Sequence, residues 1–111
     1  MGAEEFERLA AAWGRTVELH PAGAEAGVTV KAFLQPVRER SGRQFRPTPA
    51  GVVREDRFLY LGPAGVPLSG GDGSWLSCGG TRYEVLAGHG VFAGAVCSHW
   101  RAVLRPGEGE P

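Results

Sequence analysis

Residues 75–86, Trp75-Leu76-Ser77-Cys78-Gly79-Gly80-Thr81-Arg82-Tyr83-Glu84-Val85-Leu86, decide the fold. Two strand-forming runs, Trp75–Cys78 and Thr81–Leu86, flank Gly79-Gly80. A Gly-Gly pair is a favoured two-residue hairpin turn, because the chain reversal needs residues that tolerate positive φ. Working outward, the same grammar repeats. Arg57-Phe58-Leu59-Tyr60-Leu61 is stopped by Gly62-Pro63, and Val28-Thr29-Val30-Lys31-Ala32-Phe33-Leu34 by Pro36. In Arg15–His20, Val17 and Leu19 point one way while Thr16, Glu18 and His20 point the other, and Pro21 ends the run. Ser98-His99-Trp100-Arg101-Ala102-Val103-Leu104 closes the series before Pro106. Six short strands separated by turn signals predict an all-β domain, a small barrel or sandwich.

One helix precedes them. In Ala3–Trp13, Phe6, Leu9, Ala10 and Trp13 recur at helical spacing and form one apolar stripe. Glu4 and Glu5 sit in the first turn, where the macrodipole favours acids, and Gly14 is a natural stop. About three turns of helix are marginal alone in water, so this helix must pack on the domain or on a partner. The organisation read from the chain is therefore a helix over 1–14, one barrel-like domain over 15–106 and a disordered tail over 107–111, which lacks apolar side chains.

Composition narrows the function classes. A chain of 111 residues fits one domain with one modest core. Eighteen glycines and eight prolines are unusually many, but they fall between apolar runs rather than in a tract, as in a turn-rich β-domain. Twelve basic and twelve acidic side chains cancel, so no global field favours nucleic acid or an anionic membrane. No apolar run approaches the roughly 18 residues of a membrane helix, and acids stand where an export signal carries positive charge. The expected compartment is the cytosol of the producing cell, with Cys78 and Cys97 as free thiols.

The charges are uneven locally. All but one of the basic residues are Arg, a bias that suits bidentate contacts and that a high-GC genome also produces. Arg38, Arg40, Arg43, Arg46, Arg54 and Arg57 stand against Glu39, Glu55 and Asp56. Gly42, Pro47, Pro49 and Gly51 interrupt regular patterning, so residues 35–57 are expected to form a long loop or an extended hairpin. A segment of that length has a job in most compact domains. It is expected to contact a neighbouring subunit or to lie near DNA phosphate, against the plainer alternative of a solvated loop. Phe6, Trp13 and Trp75 are candidate interface aromatics, and Trp100 is expected in the core.

Chemistry-bearing constellations are weak. Cys78, His89, Cys97 and His99 are ligand types that zinc favours, and Cys97-x-His99 would share one strand face, but the four are scattered and no Cys-x-x-Cys pair exists. No nucleophile signature surrounds either cysteine. Ser69-Gly70-Gly71-Asp72-Gly73-Ser74 lacks the lysine and helix of a phosphate loop and reads as a turn. No catalytic residue, metal ligand or cofactor is assigned, and an enzyme is not expected.

The run Asp56-Arg57-Phe58-Leu59-Tyr60-Leu61-Gly62-Pro63, then Pro67-Leu68, Gly79-Gly80, Tyr83-Glu84-Val85 and His99-Trp100-Arg101-Ala102-Val103-Leu104-Arg105, resembles small prophage-encoded virion proteins. These are the head-closure (stopper) and head–tail joining proteins of long-tailed phages. The resemblance spans residues 28–105 and leaves the N-terminal helix outside it. It implies a small β-barrel that assembles as a homo-oligomeric ring between portal or adaptor proteins and tail proteins. Such a ring helps retain packaged DNA, in a virion assembled in the bacterial cytoplasm and with no membrane contact. The Arg-bearing segment would be its lumen or inter-ring loop. Two alternatives stay open. One is a tail terminator or other tail-side ring component. The other is a small nucleic-acid-binding barrel, which needs a positive groove lined by aromatics.

Overall fold

In the computed structural model, six strands run antiparallel to their neighbours and close into a barrel in the order β1-β2-β5-β8-β7-β6. They are β1 (Arg15–His20), β2 (Val28–Pro36), β5 (Phe58–Gly62), β6 (Trp75–Cys78), β7 (Thr81–Ala93) and β8 (Val96–Pro106). A separate two-stranded sheet pairs β3 (Phe45–Thr48) with β4 (Gly51–Arg54), and α1 (Ala3–Trp13) precedes the barrel. The structure describes residues 2–23, 26–37, 45–48, 51–54 and 57–107, with side chains described outside β3 and β4. Of the two architectures expected, barrel or sandwich, the barrel is the one formed.

Closure leaves the barrel without an edge and turns one face of every strand inward. Val17 and Leu19 of β1, Ala32 of β2, Tyr60 of β5, Leu76 and Cys78 of β6, Tyr83 and Val85 of β7, and Ala102 and Leu104 of β8 make the core. The β5–β6 connection drops Leu68 into the same core, and the Trp100 indole N–H donates to the Leu68 carbonyl at 2.9 Å. Trp100 thus packs against the core, as expected of it. The Gly79-Gly80 hairpin forms in the expected register, Cys78 opposite Thr81, with φ of +59° and +80°. Both values belong to the turn whose twist matches its strands.

Two elements run further than the sequence reading. β7 continues past Leu86 to Ala93 through a bulge at Leu86, and β8 begins at Val96. The glycines inside this stretch are close-approach sites. A Cβ on Gly88 would lie 2.0 Å from the Leu68 carbonyl oxygen and 2.7 Å from the Trp100 Nε1. Between β2 and β5 the described residues 45–48 and 51–54 pair as β3 and β4, and Val37 N–H donates to the Arg57 carbonyl at 2.9 Å where the chain leaves the barrel.

Helix α1 packs on β2 and β8 through Phe6, whose ring meets Phe33 edge-on at 5.9 Å and stacks on His99 at 4.9 Å. Gly14 ends it, but not by left-handed capping: its φ of −80° and ψ of 175° carry the chain straight into β1. What the position needs is space, because a Cβ there would lie 2.5 Å from the Ala10 carbonyl oxygen and 2.9 Å from that of Ala32. At the other terminus Gly107 donates its N–H to the Arg82 carbonyl at 2.8 Å; the remainder of the expected tail, 108–111, lies outside the described residues.

Candidate functional site

The outer face of β6 and β7 carries a cluster of aromatic and charged side chains. The register sets Trp75 opposite His20 on one side and Glu84 on the other. His20 stacks on the Trp75 ring at 3.8 Å with 3° between planes, and the Arg82 guanidinium lies 3.9 Å from the same ring centroid. Two groups that close to one centroid occupy opposite faces, so the indole is sandwiched. A guanidinium over a tryptophan face is a favourable cation–π contact and fixes the long side chain. His20 Nε2 in turn lies 2.7 Å from Glu18 Oε1.

Beside this stack a groove of about 330 Å³ opens, lined among others by Gly71, Trp75, Arg82, Glu84, Leu86 and Arg105. Glu84 is occupied by Arg105, whose Nε and Nη2 reach its Oε2 at 2.9 and 2.8 Å. Arg82 has no carboxylate partner among the described residues. The loop that forms the groove's rim is held by Asp72, which accepts from the Ser74 hydroxyl at 2.7 Å and the Ser74 N–H at 3.1 Å. These bonds keep the Asp72 carboxyl below the usual carboxylate range.

The residues singled out in the sequence are dispersed. Arg38, Arg40 and Arg43 lie outside the described residues, and Arg46 and Arg54 stand on β3 and β4 with side chains outside them. Arg57 precedes β5 at the root of the hairpin. Phe6 is 3% exposed and sits in the helix–barrel contact, so it serves the fold internally and is not offered to a partner. Trp13 is 78% exposed and Trp75 is half-buried in its sandwich. With both ring faces covered, Trp75 is not an open platform for a nucleic-acid base.

Sequence reasoning missed Arg82, Glu84 and Arg105, although a signal existed. Once Gly79-Gly80 is a two-residue turn, counting outward places Arg82 and Glu84 on the outer face opposite Ser77 and Trp75. It also missed the tip of the β7–β8 hairpin, where Gly94 (φ +65°) turns the chain and leaves Phe92 63% and Val96 61% exposed. Strand directions send this tip and the β3–β4 segment out of opposite ends of the barrel.

The thiols and imidazoles are not gathered. Cys78 is buried near one end of the barrel and Cys97 lies near the other, both as free cysteines. The expected shared face of Cys97 and His99 does not form, because the register shift at Ser98 intervenes. Instead Cys97 Sγ donates to the His99 carbonyl at 3.3 Å, and His99 Nδ1 lies 2.7 Å from the Ser98 hydroxyl. Burial under Phe6 keeps the His99 imidazole below its ordinary pKa. No three His, Cys, Asp or Glu side chains stand close enough to hold a metal ion among the described residues. No described helix is long and apolar enough to cross a membrane.

No family model, no curated protein and no solved structure matches this chain.

Proposed function

We propose that this chain is a structural subunit of a tailed-phage head–tail joining ring, of the head-closure (stopper) type. The observation that carries the reading is the pair of extensions at opposite ends of a closed barrel. One end sends out the long β7–β8 hairpin with exposed Phe92 and Val96. The other sends out the chain that contains the β3–β4 sheet. A closed barrel has no edge for strand-to-strand pairing, so contacts with other proteins fall to such extensions and to the barrel's outer flanks. A joining ring has to meet one ring above and a different ring below, and two unlike segments departing from opposite ends of the barrel suit that task. The sequence resemblance over residues 28–105 supplies the particle, and the Arg-bearing hairpin segment is the part that faces the lumen or the adjoining ring.

The test is cryo-electron microscopy of particles made by the source locus, with this chain located by its density. A ring between portal and tail, its two extensions reaching the rings on either side, supports the reading. Density at the far end of the tail tube makes the chain a tail-side ring component and discards head closure. Particles that lack the chain overturn the structural role altogether.

A further inference from the structure

We infer that within its ring each copy docks the exposed half of α1, through Trp13, Leu9 and Glu5, into the Trp75–Arg82 groove of the next copy. The inference rests on the ring reading above and names the two flanks that meet.

The first flank is an apolar stripe only partly used. Phe6 and Ala10 are buried against the barrel, while Leu9 (42% exposed) and Trp13 are left uncovered. Glu4, Glu5 and Glu7 are exposed beside them, none with an ion-pair partner among the described residues. Glu5 lies four residues before Leu9, one turn away on the same side of the helix. This surface is therefore an aromatic anchor bordered by three carboxylates, with the exposed Arg8 beside Glu5 and Leu9 as the one cation of the helix.

The second flank is its chemical complement. The groove offers apolar walls in Leu86 and Trp75, and a guanidinium with no carboxylate partner among the described residues. Arg82 is half-buried, its guanidinium carbon lies 3.9 Å from the Trp75 ring centroid and its buried Nε has no hydrogen-bond partner among the described residues, so it has donor capacity left for a carboxylate. A partly desolvated cation without a counter-ion is unfavourable, and a carboxylate brought from outside relieves it. Tryptophan and arginine are also the residue types that dominate interface energetics.

Placement decides the occupant. α1 rests on β2 and β8, astride β5, and in the ring of six strands β5 stands opposite β6. The acidic helix and the cationic groove thus lie on different sides of one barrel. The α1 of a copy cannot reach that copy's own groove, and a two-fold dimer would need the same patch on both partners. Unlike flanks meeting head to tail generate a closed ring when the rotation closes.

The test uses full-length chains. A ¹⁵N-labelled Glu5→Gln/Trp13→Ala variant keeps its groove and loses its helix flank; both residues are exposed, so its amide spectrum stays dispersed. Unlabelled wild-type chain is added up to about 1 mM, where even millimolar affinity registers. The expected result is a saturable shift of the Trp75 indole and Arg82 Nε resonances. The shift disappears when the added chain also carries Glu5→Gln/Trp13→Ala, or when the labelled chain carries Arg82→Gln. Resonances that stay still, or that move equally with the doubly substituted helper, overturn the inference whatever the particle shows. A joining ring imaged with other flanks in contact also overturns it and leaves the proposed function standing. A Trp75 shift from a chain absent from the particle does the reverse.

Discussion

The two halves of α1 carry the same apolar stripe and meet different fates. Phe6, in the first half, is closed between Phe33 of β2 and His99 of β8. Trp13, seven residues later on the same face, is almost wholly in water. A helical stripe tells which side of a helix is apolar; it does not tell how far the partner surface extends beneath it. Here that surface covers Phe6 and Ala10 and stops short of Trp13; at the Phe6 end the long β8 supplies His99 beyond the end of the shorter β5, whose last residue Gly62 pairs with Trp100. Mutations along the stripe should therefore divide sharply.

The largest effect belongs to Phe6→Ala. Truncating a buried phenylalanine removes its burial and leaves a cavity, a loss of about 3 kcal/mol or more. That is a large share of the roughly 5–15 kcal/mol available to a domain of this size. The urea midpoint should fall accordingly while the barrel's own registers persist, and hydrogen exchange should show α1 released first. An unchanged midpoint would mean that the helix is not part of the cooperative unit. Next comes Gly14→Ala, which pushes a methyl group against two backbone carbonyl oxygens that cannot swing aside. Overpacking of this kind costs about 1–3 kcal/mol. Its φ is accessible to alanine, so the loss, read from the thermal midpoint, reports the crowding between α1 and β2 alone.

How much of this was legible in the sequence follows the same line. The strands around Gly79-Gly80, the β1 alternation and the helix were readable because period and turn chemistry are local properties. The extension of β7 to Ala93 was not, since Gly88 and Gly90 carry no strand signal until Leu68 and Trp100 are known to press on them. The groove was half legible: the turn fixes which residues face outward with Trp75, but the stacking of His20 needs the β1–β6 pairing, which joins residues some 55 positions apart. Charge counting singles out the Arg-bearing segment but cannot distinguish a paired arginine from an unpaired one, so Arg82, the one arginine of β7, carries no signal of that kind.

Acid should weaken the buried half of the contact selectively. The His99 imidazole is held below its usual pKa by burial beneath Phe6, so the folded state binds its proton less readily than the unfolded chain does. The contribution is complete above the unfolded value of about 6.5 and is lost as the pH falls below it. Urea midpoints at pH 7.5 and 5.5 should differ in that direction, and His99→Gln should reduce the difference. In the Phe6→Ala chain the imidazole is opened to water, and its titration, followed by NMR, should move up toward the ordinary histidine range.

The smallest effect on stability is the one that bears most on function. Trp13→Ala removes a large aromatic side chain that the folded barrel barely covers, so there is little burial to lose and no cavity to leave. The thermal midpoint should stay within the equivalent of about 0.5 kcal/mol of wild type, against the several expected for Phe6→Ala on the same helix. A loss comparable to that of Phe6 would place Trp13 in the intramolecular packing and dissolve the contrast between the two halves. A negligible loss leaves an exposed tryptophan without a structural duty in the monomer. Such a residue is left uncovered in the monomer, which is what the contact with the next copy inferred above requires.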